Sequence, residues 1–269
     1  MFRKALVALL LALLSLNGSA QIVNYLKADK PTYMCYADCR MKPFNPDNLA
    51  VADSLYAVGV ASGDFKKKAY ALHVMMSASY ACGDLERTNA CFEELRSLVG
   101  ERKETRTFWL GVQHEWCLDQ IHKGMAADAM LEARAMERQA TIDKNALGRL
   151  YAYKIIGLIQ SERTNSTLAV ENFLKAVRYC RDAKAEHELP FLYILLAQEY
   201  INLGQFGNAE QYCTMAEQYL SIYSKTLPLK AKRMRALLYN ARGWNNSFWD
   251  SYESLVQNPL YIGQVEAEE

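Results

Sequence analysis

Apolar and polar residues alternate along this chain with the period of amphipathic helices, and the apolar runs come in pairs. The clearest pair spans residues 190–223, where Tyr193, Leu196 and Tyr200 lead to a turn around Gly204 and a second apolar run follows. Side chains three or four positions apart lie on one face of an α-helix, so each run is expected to bury one face. The pattern predicts a hairpin of two antiparallel helices.

The predicted hairpins recur at a nearly constant interval. Their turns centre on Gly83, Gly124, Thr164 and Gly204, and a fifth turn is predicted near Gly243. Such a regular interval is typical of stacked helical units, in which each hairpin buries its apolar face against its neighbours. The sequence therefore predicts an all-α fold, a right-handed α-solenoid of helical hairpins with extended repeats of about 40 residues, over residues 64–257.

Three further segments flank the predicted repeats. Residues 21–46 contain three prolines and no sustained period, and they are predicted to form an irregular leader. Residues 47–63 have a helical period and are predicted to form an N-terminal capping helix or half repeat. Residues 258–269 form an acidic tail that is expected to be loose.

The start of the chain, up to Ala20, has the features of an export signal. Arg3 and Lys4 precede an apolar run from Ala5 to Leu16, and small residues lead to Ala20. This order predicts a signal peptide that is cleaved after Ala20. The apolar run is too short to span a bilayer, which takes about 20 residues of helix. We therefore expect a periplasmic or extracellular protein with no transmembrane helix in the mature chain.

Small and large residues alternate within each hairpin at fixed offsets from the turn. Around Gly204 the order is aromatic, Leu-small, Tyr, Gly, aromatic, Ala and again Ala. This order resembles the tetratricopeptide repeat, and weaker forms of it surround the other turns. The residues that carry the resemblance are Tyr193, Leu196, Ala197, Tyr200, Gly204, Phe206, Ala209 and Ala216, with Cys213 in place of the usual aromatic residue.

The resemblance to tetratricopeptide repeats implies a binding face. In that family the first helix of each hairpin lines a concave surface, on which a peptide or protein partner lies. Aromatic and aliphatic side chains with scattered polar groups suit such contacts. The predicted binding face comprises Tyr70, His73, Ser77, Tyr80, His114, Leu118, Ile121, Tyr151, Lys154, Leu158, Ser161, Phe191, Ile194, Gln198 and Ile201.

In the order of its elements, the chain also resembles the exported sensor regions of Bacteroidetes histidine kinases and related regulators, over residues 47–257. The segment 52–56, Ala-Asp-Ser-Leu-Tyr, leads to Gly63 and Asp64, and long hairpins follow behind an export signal. The resemblance implies a role as the periplasmic sensory part of a signalling system. In that family a membrane helix and a kinase or DNA-binding output would follow the repeats, and neither is found in this sequence.

The cysteines and histidines give little support for redox or metal chemistry. The seven cysteines include no CxxC pair, and Cys35 with Cys39 is predicted to form a local disulfide in an exported chain. His114 and His122 lie on one predicted helix, about 12 Å apart along its axis, which is too far for one metal ion. No metal site is predicted.

Charge and motifs restrict the functional classes further. The formal net charge is +1, so bulk electrostatics favour neither nucleic acid nor an acidic membrane. GxSxG, HExxH, Walker and Gly-rich dinucleotide motifs are absent, so we predict no enzymatic activity, no catalytic residue and no cofactor. We expect a scaffold that binds a protein or peptide. Two alternatives remain open: a structural assembly factor of an envelope complex, and a glycan or small-molecule receptor in which Tyr70, Tyr80, Tyr151 and Phe191 stack on the ligand.

Overall fold

The fold is built entirely from helices. A computed structural model describes residues 23–43, 45–218 and 227–256, and within these ranges it contains twelve α-helices, two short 3₁₀ helices and no β-strand. Consecutive helices pack on one another, so the predicted all-α solenoid class is confirmed. The predicted export signal and acidic tail lie outside the described residues.

The chain divides into two compact units, and the first contains the described residues up to Asp119. Its helices are α1 (Lys30–Met41), α2 (Asn48–Ser62), α3 (Phe65–Ala81), α4 (Leu85–Val99) and, after a 3₁₀ turn at Lys103–Thr105, the larger part of α5 (Arg106–His122). Helix α2 falls within the segment predicted as a capping helix. Helix α3 packs against α1, α2 and α4, and is therefore the central helix of this unit.

The second unit begins at Gln120 and contains seven further helices. Helices α7, α8, α9, α10 and α11 each pack on the next, and α9 also contacts α11. A 3₁₀ turn at Glu186–Glu188 precedes α9. The helices are α6 (Ala126–Ile142), α7 (Ala146–Glu162), α8 (Ser166–Asp182), α9 (Leu189–Asn202), α10 (Phe206–Gln218), α11 (Leu227–Ala241) and α12 (Asn245–Val256).

Residues in the left-handed backbone conformation mark the helix ends. They include all five predicted turn positions, and the adjacent chain folds back on the helix; for example, the Asn165 N–H donates to the Gln160 carbonyl at 2.9 Å. From Gly124 to Gly204 these residues recur every 20 positions, which is half of the hairpin repeat. The turns between hairpins therefore have the same backbone conformation as the turns within them. The set is Gly63, Gly83, Gly124, Lys144, Thr164, Lys184, Gly204 and Gly243.

One close contact sets the distance between the two helices of the hairpin α7–α8. Gly157 of α7 lies against the ring of Phe173, which is fully buried on α8. A Cβ atom at position 157 would stand only 2.5 Å from Phe173 Cε1. The absence of a side chain at this position therefore allows the helices to approach.

The prediction of an irregular leader over residues 21–46 is wrong for its central part, which forms α1. Asp29 caps this helix, because its carboxylate accepts from the Thr32 N–H at 2.9 Å. Pro31 stands in the first turn, where a helix needs no proline N–H. Pro31, which suggested a loop, thus lies in the first turn of a helix.

The predicted disulfide between Cys35 and Cys39 is also wrong. Both cysteines lie on α1 and both are free thiols. Positions four apart on a helix hold their Cβ atoms about 5–6 Å apart, whereas a disulfide needs about 3.5–4.5 Å. A regular helix therefore prevents the bridge that a loop would permit.

The contact at Gly157 predicts opposite effects for two substitutions of helical glycines by alanine. Gly157→Ala should lower the free energy of unfolding by about 1–3 kcal/mol, because the new methyl group overlaps the Phe173 ring. Gly111→Ala, in the interior of α5, should leave it unchanged or raise it by up to about 1 kcal/mol, since an added methyl group there meets nothing within 4 Å. Urea unfolding followed by circular dichroism measures both. Equal effects at the two sites would contradict the close packing of α7 and α8.

Candidate functional site

The structure buries more than half of the predicted binding face. Tyr70, His73, Leu118, Ile121, Lys154, Leu158, Ile194 and Gln198 are buried. The others are half-buried: Ser77, Tyr80, His114, Tyr151, Ser161, Phe191 and Ile201. The eight buried side chains pack in the interior of the protein, whereas the seven half-buried ones retain surface and stay predicted partner contacts.

In the first unit, α1 and the residues before it cover part of this face. The ring of Tyr36, on α1, stacks on the ring of Tyr70 with centroids 4.0 Å apart. The Tyr70 hydroxyl donates to Asn24 Oδ1 at 2.9 Å and accepts from the Leu26 N–H at 3.2 Å. Tyr70 is therefore buried by the segment that the sequence suggested was irregular.

A charged cluster joins α1 to α3 and α5; we call it the Glu115 cluster, formed by Tyr36, Arg40, His73, Ser77 and Glu115. Arg40 binds both carboxylate oxygens of Glu115, with Nη1–Oε1 at 2.8 Å and Nη2–Oε2 at 2.5 Å. It also donates to the Ser77 hydroxyl, which donates to Glu115 Oε1 at 2.5 Å. Arg40 therefore makes the two-point contact with a carboxylate that suits the planar guanidinium.

His73 completes the Glu115 cluster from the centre of α3. Its Nε2 lies 3.1 Å from Glu115 Oε2, and its Nδ1 lies 3.0 Å from the Tyr36 hydroxyl. A neutral imidazole with its proton on Nε2 satisfies both contacts, because it donates to the carboxylate and accepts from the tyrosine. The Phe108 ring closes this side in a T-shaped contact with the imidazole, with ring centroids 5.4 Å apart.

Burial and neighbouring charges shift the pKa values of these groups. Burial lowers the pKa of His73, and the positive charge of Arg40 lowers it further, against the smaller opposing effect of Glu115. Burial by itself would raise the pKa of Glu115, but Arg40 and His73 hold that pKa well below its usual range. At neutral pH the cluster therefore combines a neutral imidazole with an ionised carboxylate and a guanidinium.

In the second unit, α7 and α9 carry a different polar arrangement. Lys154 is buried and its Nζ lies 2.7 Å from Glu188 Oε2, so this predicted binding residue is engaged in an internal ion pair. Nearer the other end of α7, the Ser161 hydroxyl donates to Glu199 Oε1 at 2.5 Å. Asn202 Nδ2 contacts Glu199 Oε2 at 3.4 Å.

Gln198 extends this second arrangement, which we call the Glu199 cluster and define as Ser161, Gln198, Glu199 and Asn202. Its Nε2 donates to Asn202 Oδ1 at 3.3 Å. Its Oε1 is buried and has no hydrogen-bond partner. The half-buried Tyr151, Phe191 and Ile201 lie on the same two helices.

Several residues of these clusters are not predicted from the sequence. The predicted leader contains Arg40 and Tyr36, and the sequence pattern gives Glu115 and Glu199 no special role in their helices. One signal is present, because Glu199 stands within the most apolar of the described helices, in Tyr-Ile-Leu-Leu-Ala-Gln-Glu-Tyr over residues 193–200. An acid in such a segment must be buried or mark a site.

Neither a metal site nor a membrane-spanning helix is found in the described ranges. No group of three or more His, Cys, Asp or Glu side chains there is arranged to hold a metal ion. Within the same ranges, no helix combines the length and the apolar character needed to cross a bilayer.

Comparison with known proteins finds no family model and no curated protein that matches this chain.

The lowered pKa of His73 predicts a loss of stability in mild acid. The unfolded chain, with a histidine pKa of about 6.5, takes up the proton before the folded chain does. The contribution of His73 is therefore complete above pH 6.5 and declines as the pH falls through the lower folded-state pKa. Glu115 adds a second loss below about pH 4.5, its ordinary value, because its folded-state pKa is lower still.

Urea midpoints between pH 8 and pH 4 measure this dependence. In His73→Gln the part of the decline that begins near pH 6.5 should disappear, whereas His187→Gln, at an exposed histidine of the second unit, should keep it. If His73→Gln and the unaltered protein give parallel profiles, the assignment of the first loss to His73 is wrong.

Proposed function

We propose that this chain is an exported scaffold of tetratricopeptide-like repeats that binds a segment of another protein on α7 and α9. The observation that carries the proposal is the docking of α1 in the first unit. There, a helix from outside the repeats already lies on side chains of the predicted binding face.

The contacts of α1 are of the kind that dominate protein interfaces. Tyr36 supplies an aromatic ring that stacks on Tyr70, and Arg40 supplies a guanidinium that pairs with Glu115. Tyrosine and arginine are enriched among residues that carry most of the binding energy in interfaces. The face formed by α3 and α5 is thus suited to a helix with such side chains.

The corresponding helices of the second unit, α7 and α9, are suited to binding a segment of another protein. Among the described helices, those that pack most extensively on α7 and α9 are their neighbours in the repeat. Tyr151, Phe191 and Ile201 remain half-buried, which leaves aromatic and aliphatic surface for a partner. The polar Glu199 cluster lies between the same two helices.

The glycan alternative loses one of its four stacking residues, because Tyr70 is fully buried beneath Tyr36. The assembly-factor alternative uses the same protein-binding face as the scaffold, so the identity of the partner distinguishes them. A sensory role in a signalling system is proposed on the resemblance of the sequence alone.

Site-specific photo-crosslinking tests the proposed face. With a photoreactive phenylalanine analogue at position 151 or 191, we expect a discrete adduct with another protein in the native cells. The same analogue at Leu168 or Leu174, both exposed on α8, should give none. Tyr151→Ser with Phe191→Ser should weaken the captured complex by about 2 kcal/mol or more. Adducts of similar yield from all four positions, or adducts only from α8, would exclude this face.

Export has an independent test. If residues 1–20 are a cleaved signal, N-terminal sequencing of the protein purified from its native cells should begin at Gln21. Recovery of the chain with Met1 intact would rule out cleavage.

A further inference from the structure

A hydrogen-bonded serine and glutamate occur in both units. In the first unit the Ser77 hydroxyl of α3 donates to Glu115 of α5, and in the second unit the Ser161 hydroxyl of α7 donates to Glu199 of α9. Each pair is separated by 38 residues and each contact is 2.5 Å long. The same chemistry therefore joins the first helices of consecutive hairpins twice.

The two pairs differ in their positive charge. Glu115 is neutralised by Arg40, which reaches it from α1. Within the described ranges, Glu199 accepts only from the neutral groups of Ser161 and Asn202, although it is 1% exposed. A buried carboxylate without a cation is costly, because neutral donors replace only part of its lost hydration.

The Glu199 cluster has acceptor atoms that are not fully used, so a ligand that donates hydrogen bonds would fit it. Gln198 Oε1 is a buried acceptor without a partner, and Gln198 is 6% exposed. The contact of Asn202 with Glu199, at 3.4 Å, is the longest in the cluster and therefore a weak one. A cation with several N–H groups can replace this amide and bind both acceptors, at the cost of the 3.3 Å contact that Asn202 Oδ1 accepts from Gln198 Nε2.

The guanidinium of arginine fits these requirements better than an ammonium group. It presents five N–H donors in a rigid plane, which suits two carboxylate oxygens and a neighbouring amide oxygen. The buried lysine of α7, Lys154, is already paired with Glu188. The first unit provides the precedent, since Arg40 makes a two-point contact with Glu115 beside a serine.

The spacing of aromatic and acidic side chains suggests how the partner is arranged. In α5, Phe108 stands seven positions before Glu115; in α9 the residue seven positions before Glu199 is Leu192, and Phe191 stands one position earlier, about 100° around the helix. At the rise of an α-helix these separations are about 10 and about 12 Å, or two helical turns. On α1, Tyr36 precedes Arg40 by one turn and stacks on Tyr70 of α3, whose ring meets Phe108 with centroids 5.5 Å apart.

We propose that the Glu199 cluster is the receptor for an arginine of the partner protein, presented on a helix that also carries an aromatic residue about one turn away. The inference rests on the proposed function, because it names the chemistry that α7 and α9 recognise. It extends that function from an apolar face to a specific charged anchor.

Selection from a displayed library of helical peptides tests this specificity on the full-length protein. Peptides retained by the unaltered protein should carry arginine at one position relative to an aromatic residue. Their dissociation constants should rise about 30-fold or more with Glu199→Gln, since the guanidinium then loses its buried charge partner. Glu171→Gln, a matched change on the exposed surface of α8, should have no effect.

The outcomes separate the inference from the function on which it rests. Peptides that need Tyr151 and Phe191 but show no preference for arginine would overturn the arginine receptor and leave the binding face intact. A library that yields no peptide dependent on this face would count against both.

A competition experiment avoids any dependence on how Glu199→Gln folds. On the unaltered protein, arginine amide should release the selected peptides at a lower concentration than lysine amide. Equal release by the two amides would overturn the proposal.

Discussion

The structure depends on the regular interruption of its helices by residues in the left-handed conformation. These residues recur at a constant interval from Gly124 to Gly204, and from α6 onward each of these turns reverses the chain so that each helix packs on the next. Helices α6, α7 and α8, which lie between these turns, have equal lengths, since each contains 17 residues. The contact in which Ser161 of α7 donates to Glu199 of α9 requires this constant spacing, because a different helix length would move one partner along the axis.

The same constraint explains which parts of the fold could be predicted from the sequence. A glycine is favoured in the left-handed conformation, so Gly83, Gly124 and Gly204 revealed the period of the hairpins. Lys144 and Lys184 adopt that conformation without being glycines, so the interval of half a repeat was not visible. Thr164 was found only because the period required a turn there. The turn glycines thus identify the hairpins from the sequence, whereas the equivalent turns between hairpins are seen only in the structure.

The candidate site was less predictable because its contacts join distant parts of the sequence. Arg40 and Glu115 are 75 residues apart, and Tyr36 and His73 are 37 apart. Periodicity describes which face of a helix is apolar, but it does not show which other segment covers that face. Because α1 docks on this face, the predicted binding residues Tyr70 and His73 are buried in the core. Pro31 added to the error, because a proline in the first turn of a helix has the same appearance in the sequence as a proline in a loop.

On the proposed function, the two clusters put one arrangement to two uses. A carboxylate between two helices is unfavourable unless a cation reaches it, and this requirement makes the site selective for what covers it. In the first unit the cation belongs to α1, so the carboxylate stabilises the fold and orders the segment before the repeats. Glu199 has the same serine partner, but within the described residues only neutral groups contact it. Without a cation, the Glu199 carboxylate adds little to the stability of the fold. It suits recognition instead, because a partner that supplies the cation gains an ion pair that the chain itself does not form.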